Sequence, residues 1–208
     1  MDGFKKWLTI NEGMKTENDL PEGVCLYYSQ MRGTLDIWYG DDTHREIRTD
    51  PSPNEIDIKR LPRSDKPAGN IYCMPIETHT DDEWDAYRND ELDELPPTVL
   101  MVRNVQANGG WGPLLYELAM EMASYDSGGL IADRERTDSL AMPVWRYFFK
   151  RSDIEKHELP EHNHTYQGGF FPKEDLHILN HRYTKEPTRI NALKKLGLWK
   201  PGNTSQRH

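Results

Sequence analysis

Crowded runs of β-branched and aromatic residues alternate along this chain with stretches that are almost wholly polar. Residues 24–31 (VCLYYSQM) and 34–41 (TLDIWYGD) are two such runs, and Arg32-Gly33 between them predicts an antiparallel hairpin. Ahead of them, Phe4, Trp7, Leu8 and Asn11 recur at helical spacing and predict a short amphipathic helix over 2–11. The polar stretch 13–22 reads as a linker. Residues 49–67 carry four prolines among many charges, an irregular connection. NIYCMPIE (70–77) predicts a strand near a sheet edge, because Pro75 has no N–H to give a ladder.

Past Pro96 and Pro97, TVLMVRNV (98–105) is a nearly continuous apolar run of the kind found at a sheet's centre. A helix follows, with Pro113 in its first turn and Leu114, Leu115, Leu118 and Met122 on one side, and Gly128-Gly129 ends it. LIADRE (130–135) predicts a short strand. Asp138 or Ser139 is expected to cap a helix through LAMPVWRYFFKR, with Pro143 in its first turn. From residue 155 the pattern loosens. YQGGFF and LHILNHRY are candidates for late strands, and residues 188–196 for a terminal helix stopped by Gly197. This order predicts an α/β fold with a mixed, mostly antiparallel central sheet flanked by helices. The expected organisation is an N-terminal helix and linker (1–22), a core (23–153), and C-terminal strands and a helix that complete the domain (154–208).

Composition narrows the function classes. The 208 residues carry a net charge of −9, which argues against a general nucleic-acid binder, since phosphate neutralisation needs clustered Lys and Arg. Nine carboxylates stand against Arg88 alone in residues 77–95, a solvated face or a surface for a basic partner. Cys25 and Cys73 sit within apolar runs and form no CxxC, the usage of a reducing compartment. No apolar run reaches a membrane span and the N-terminus lacks a secretory signal pattern, so a cytoplasmic protein without membrane contact is expected.

Candidate chemistry concentrates at NGGWGPLLY (108–116), where an apolar strand feeds three glycines into a helix. A helix start exposes unpaired N–H groups, its dipole adds partial positive charge, and glycine lets a phosphate approach the backbone. A tight turn with no ligand is the alternative. GGxG followed by Pro does not meet the GxGxxG dinucleotide fingerprint, and GxxxxGK[ST] is absent. His162 and His164 lie in HNH, and His177 and His181 are four apart, but HExxH is missing and no metal is expected. Ser29 and Ser139 lie in no GxSxG elbow.

The strand, glycine turn and helix resemble the acyl-CoA-binding turn of the GNAT superfamily of N-acetyltransferases. In that family Gln or Arg, two further residues and then GxG or GxA lead into a helix. In this chain Gly110-Trp111-Gly112 stands at the GxG and Leu114-Leu115-Tyr116 is similar to the helix start that follows. SLAMPVW (139–145) stands at the family's next helix. The resemblance covers about residues 98–150 and implies acetyl-CoA as acyl donor, held by Val105, Gln106, Asn108, Gly109, Gly110, Trp111, Gly112 and Pro113. It implies transfer of the acetyl group to an amine acceptor by direct attack. The acceptor is a small molecule or a protein, and the acidic segment suits a cationic one. Ala107 stands where the family has Arg or Gln, with Gln106 one position off, and Trp145 stands where the family has a general-acid Tyr. Tyr147 then becomes the proton donor, with Glu77 and Asp133 as candidate bases; Arg134 and Arg136 beside Asp133 offer it a structural ion pair instead. The departures leave a second reading open, a GNAT-folded structural or binding protein without catalysis.

The N-terminus carries another resemblance. FKKWL, then Ile10-Asn11-Glu12 and Gly13, is similar to the leader of head-packaged proteins of large contractile-tailed bacteriophages, which a prohead protease cuts after Glu. It implies removal of residues 1–12 and a place in the host cytoplasm or the virion; a docking helix is the alternative.

Overall fold

The computed structural model describes residues 14–41, 67–77, 86, 88–89, 98–108, 110–134, 137, 139–159 and 173–202. The helix expected over 2–11, the leader, most of the 49–67 connection, nearly all of the acidic segment, YQGGFF and the HNH histidines lie outside them.

Eight strands form one mixed sheet: β1 (Val24–Met31), β2 (Thr34–Asp41), β3 (Gly69–Ile76), β4 (Val99–Ala107), β5 (Leu130–Ala132), β6 (Glu155–Glu158), β7 (His181–Thr184) and β8 (Trp199–Pro201). Their order is β6-β7-β5-β4-β3-β2-β1-β8. The helices are α1 (Gly112–Asp126), α2 (Met142–Lys150), α3 (Lys173–Leu179) and α4 (Thr188–Lys195). The fold is therefore α/β, with β1–β2, β2–β3, β5–β7 and β6–β7 antiparallel and β4–β5 and β1–β8 parallel. No helix among the described residues is long and apolar enough to cross a membrane.

The chain divides into two units: Met1–Cys73, Arg103–Ala119 and Pro187–His208 form the first, and Met74–Val102 and Met120–Glu186 the second.

In the first unit the expected hairpin is present, with Val24 opposite Asp41 and Met31 opposite Thr34. Arg32 takes the left-handed φ of 53° that lets a two-residue turn follow the strands' twist. Six successive residues of β2 are buried, so both faces of this strand are covered and no alternation survives. Cys25, Tyr27 and Trp38 form a core cluster with Leu198 against it.

β3 lies between β2 and β4, not at an edge. Its register with β2 runs from Asn70 to Cys73, so Pro75 falls beyond the paired stretch, where its missing N–H removes nothing from that ladder. The polar segment before β1 is no linker either. It folds into a 3₁₀ turn, Glu17–Asp19, with the Asp19 carboxylate accepting from Thr16 N–H (2.8 Å) and Thr16 O–H (2.9 Å). These bonds to Thr16 hold the Asp19 carboxyl below the usual carboxylate range.

β8 had no signal, being three residues that end in proline. It pairs parallel with Leu26–Tyr28 of β1, and Trp199 stacks on Tyr28 at 4.8 Å. Gly202 follows and donates its N–H to Tyr28 O at 2.7 Å. A Cβ on Gly202 would lie 2.6 Å from Cζ2 of Trp38 and closer still to Cη2. Trp38 is buried and its ring is rigid, so Gly202→Ala is expected to cost about 1–3 kcal/mol by overpacking. A fall in the denaturant midpoint without a change in slope is the measurement that checks it.

In the second unit Val99, Ile131 and Leu159 form a core with Ile76 and Met101 beside them, and β4 pairs with β5 over Leu100–Val102. α2 begins at Met142, with Ala141 at its N-cap and no side-chain cap bond. The expected Ser139 cap is not used, since Ser139 sits in the preceding turn, and Asp138 lies outside the described residues. LHILNHRY is not one strand: its first residues end α3 and His181 begins β7. A short apolar run carries either period, and here the helix takes half of it.

α1 is buried at every position from Leu114 to Glu121, so the one-sided stripe expected there is too narrow. Two carboxylates, Glu117 and Glu121, lie within that buried run.

Candidate functional site

The turn between β4 and α1 is assembled from both sides. Asn108, where β4 ends, donates its backbone N–H to Ala68 O (3.2 Å), and its side-chain Oδ1 accepts from Ala68 N–H (2.9 Å). The side chain thus holds the strand end. Trp111 N–H returns to Asn108 O at 3.1 Å, closing a four-residue turn whose third position, Gly110, has φ 82°. That conformation is the one glycine supplies in type II turns. Gly109 lies outside the described residues.

The peptide plane between Gly110 and Trp111 is tied at both ends. Its N–H is the one given to Asn108, and its carbonyl accepts from Lys15 N–H at 3.0 Å. The next carbonyl, that of Trp111, accepts from the Tyr39 hydroxyl at 2.9 Å. Burial pushes the Tyr39 phenol well above its usual value, so it remains a donor at any physiological pH. The Trp111 ring is buried edge-on to Tyr39 at 5.6 Å, and its indole Nε1 has no hydrogen-bond partner among the described residues. Trp111 is accordingly an anchor in the core.

Beyond this anchor α1 starts. Gly112 and Leu114 have N–H groups with no intrahelical acceptor, and Pro113 has none to offer. Gly112 is not demanded by the fold. Its φ is unexceptional, and the nearest described atom to an added Cβ is Ala107 Cβ at 3.7 Å, an ordinary contact. Gly69 and Gly202 differ, since neighbouring protein atoms fill the space where their Cβ would lie. On β4, Gln106 is exposed and Val105 half-buried.

The three candidate catalytic side chains belong to the second unit. Tyr147 on α2 is half-buried, 5.5 Å from the Phe148 ring and with the Arg151 guanidinium 5.5 Å above its own. Asp133 directly follows β5 and is buried; its carbonyl accepts from Thr137 N–H (2.8 Å) and Oγ1 (2.5 Å). Arg134 donates to Asn180 Oδ1 at 3.2 Å, and Arg136 lies outside the described residues. Glu77 is exposed, one residue past the end of β3. Trp145 is buried at 5.2 Å from Tyr183 and 6.4 Å from Phe148. His177 and His181 meet edge to face at 4.8 Å, with His181 Nδ1 against the His177 carbonyl at 2.8 Å. No cluster of three or more His, Cys, Asp or Glu among the described residues could hold a metal ion.

Two ion clusters built on buried carboxylates gave no warning as such. In the first unit Arg189 Nη1 donates to both oxygens of Glu17 (2.9 and 2.8 Å), and its Nε reaches Glu117 at 3.4 Å. Burial works against the Arg189 charge, but Glu117 and Glu17 outweigh it and hold the guanidinium above its usual value. In the second unit Lys185 pairs with Glu121, both side chains buried. Carboxylates inside an apolar helical run, as in LLYELAMEM, are the signal that could have revealed both.

An α/β chain with a mixed eight-stranded sheet flanked by helices is the class these features define. No family model, no curated protein and no solved structure matches it.

Proposed function

We propose that this chain binds an acyl-CoA at residues 105–113 and transfers its acetyl group to an amine. The observation that carries the reading is Gly112, a glycine at a helix start that neither its φ nor its neighbours require. Glycine at such a place lets an anion approach the N–H groups of Gly112 and Leu114 without hindrance from a Cβ. The interior position of β4 and the parallel β4–β5 pair suit the GNAT arrangement. In the reaction the amine nitrogen attacks the thioester carbonyl, the C–S bond breaks, and the thiolate leaves with a proton. Tyr147 is the proposed donor of that proton, and Asp133 or Glu77 the acceptor of the amine's.

Acetyl-CoA is expected to raise the melting temperature, because a ligand that binds only the native state stabilises it by mass action. Gly112→Ala should leave the unliganded protein as stable or raise it by up to about 1 kcal/mol, since Ala is the better helix former. The same substitution should abolish the shift with acetyl-CoA. A full shift retained in Gly112→Ala would remove the site from this turn.

A second reading is a GNAT-folded binding or structural component without catalysis, of a phage particle if the leader resemblance holds. Trp145 favours it, because the position expected to carry the proton donor holds a buried ring packed on Tyr183 and Phe148. The two readings part on turnover: release of free thiol from acetyl-CoA with an amine supports the enzyme, and binding without release supports the alternative.

A further inference from the structure

We infer that residues 14–19 are a latch on the glycine turn, and that Glu17 and Arg189 are positioning residues for the anion held there. The inference rests on the acyl-CoA reading for the identity of the anion, but the latch itself is a matter of the first unit's own contacts. Lys15 N–H holds Gly110 O at 3.0 Å, and this carbonyl shares a rigid peptide plane with the N–H that Trp111 gives to Asn108. Swinging that plane would swing the residues that lead into α1, so its orientation sets where the Gly112 N–H points.

The net gain from one backbone hydrogen bond is smaller than the conformational entropy lost in ordering several strap residues. The Lys15 bond alone cannot hold the strap in place. Glu17, two residues on, supplies the missing anchor through Arg189, which is fixed in turn by Glu117 of α1. The strap is thereby tied at one end to the turn and at the other, through Arg189, to the helix that the turn begins. Buried ion pairs add little net stability against apolar replacements, so a cluster of this kind is better explained by the geometry it imposes. Neither end of the latch uses the Lys15 side chain.

The test compares Lys15→Ala, which keeps the amide, with Lys15→Pro, which deletes it, and with Glu17→Ala, which deletes the anchor. Amide exchange is read at Trp111, with the Leu26 amide, bonded to Leu198 O at 2.8 Å, as reference within the same unit. Lys15→Pro and Glu17→Ala should each speed Trp111 exchange roughly tenfold relative to Leu26, and Lys15→Ala should leave it unchanged. Both should weaken acetyl-CoA binding by about the same factor with kcat, where turnover is seen, held constant. Glu17→Gln, which can still accept from Arg189, should recover part of both effects. Equal Trp111 exchange in all four variants and the wild type overturns the latch. If wild-type protein binds no acetyl-CoA but the exchange pattern appears, the acyl-CoA reading fails and the latch stands.

Discussion

Gly69→Ala should be the most damaging single-methyl substitution in the first unit, costing about 3–5 kcal/mol from backbone strain and overpacking together. Two separate demands coincide there. Gly69 holds φ 123°, a conformation that residues with a Cβ rarely adopt. An added Cβ would also lie 2.7 Å from the carbonyl carbon of Gln106 and 2.8 Å from the Cα of Ala107, and closer still to Gln106 O. These are backbone atoms in the last two residues of β4, so no rotamer change relieves the clash. Ala68, just before, exchanges two hydrogen bonds with Asn108, so the displacement would travel directly into the glycine turn. The expected result is a large drop in denaturant midpoint together with loss of acetyl-CoA binding in any fraction that still folds. A Gly69→Ala protein of wild-type midpoint would show that β3 and β4 can separate at this point without penalty.

The second large effect is expected at Lys185 and Glu121. Both side chains are almost fully withdrawn from water, and the Lys185 backbone N–H is held by Ser124 Oγ at 2.8 Å one turn along α1. Removing one partner leaves the other charge buried, which costs about 3–5 kcal/mol. Lys185→Met and Glu121→Met should each show that loss. The double variant should return to within about 1 kcal/mol of wild type, because an apolar pair needs no compensation. Urea unfolding of the four proteins yields the coupling directly. Losses that simply add would mean that the two charges do not depend on each other.

How far the chain announces its own fold varies with the physics of each element. The β1–β2 hairpin and the β4–α1 junction are legible because their signals are local: crowded aromatic and β-branched residues, then turn residues at the right offset. β6 is EKHE, with no apolar position to mark it, and pairs with β7 over Glu155–Glu158, where Thr184 Oγ1 also meets Glu155 and His157 across the ladder. β8 is too short and ends in proline. At the candidate site the glycines were legible, but their different reasons were not. Gly110 answers a backbone conformation and Gly112 answers nothing within the described residues. The latch was invisible because Glu17 sits in a polar run that reads as solvent-facing, and its partner Arg189 is 172 residues away in sequence.

β8 also protects the sheet. β1 offers an eight-residue margin whose first half is apolar, an inviting template for a strand from another molecule. β8 covers its centre with three residues in parallel register; its second residue is Lys200, and its third, Pro201, has no N–H to extend a ladder outward. A lysine and a proline on the outermost strand are a means by which sheet proteins resist edge-to-edge growth. The packing of Gly202 against Trp38 therefore guards colloidal stability as well as folding, by keeping that short strand seated.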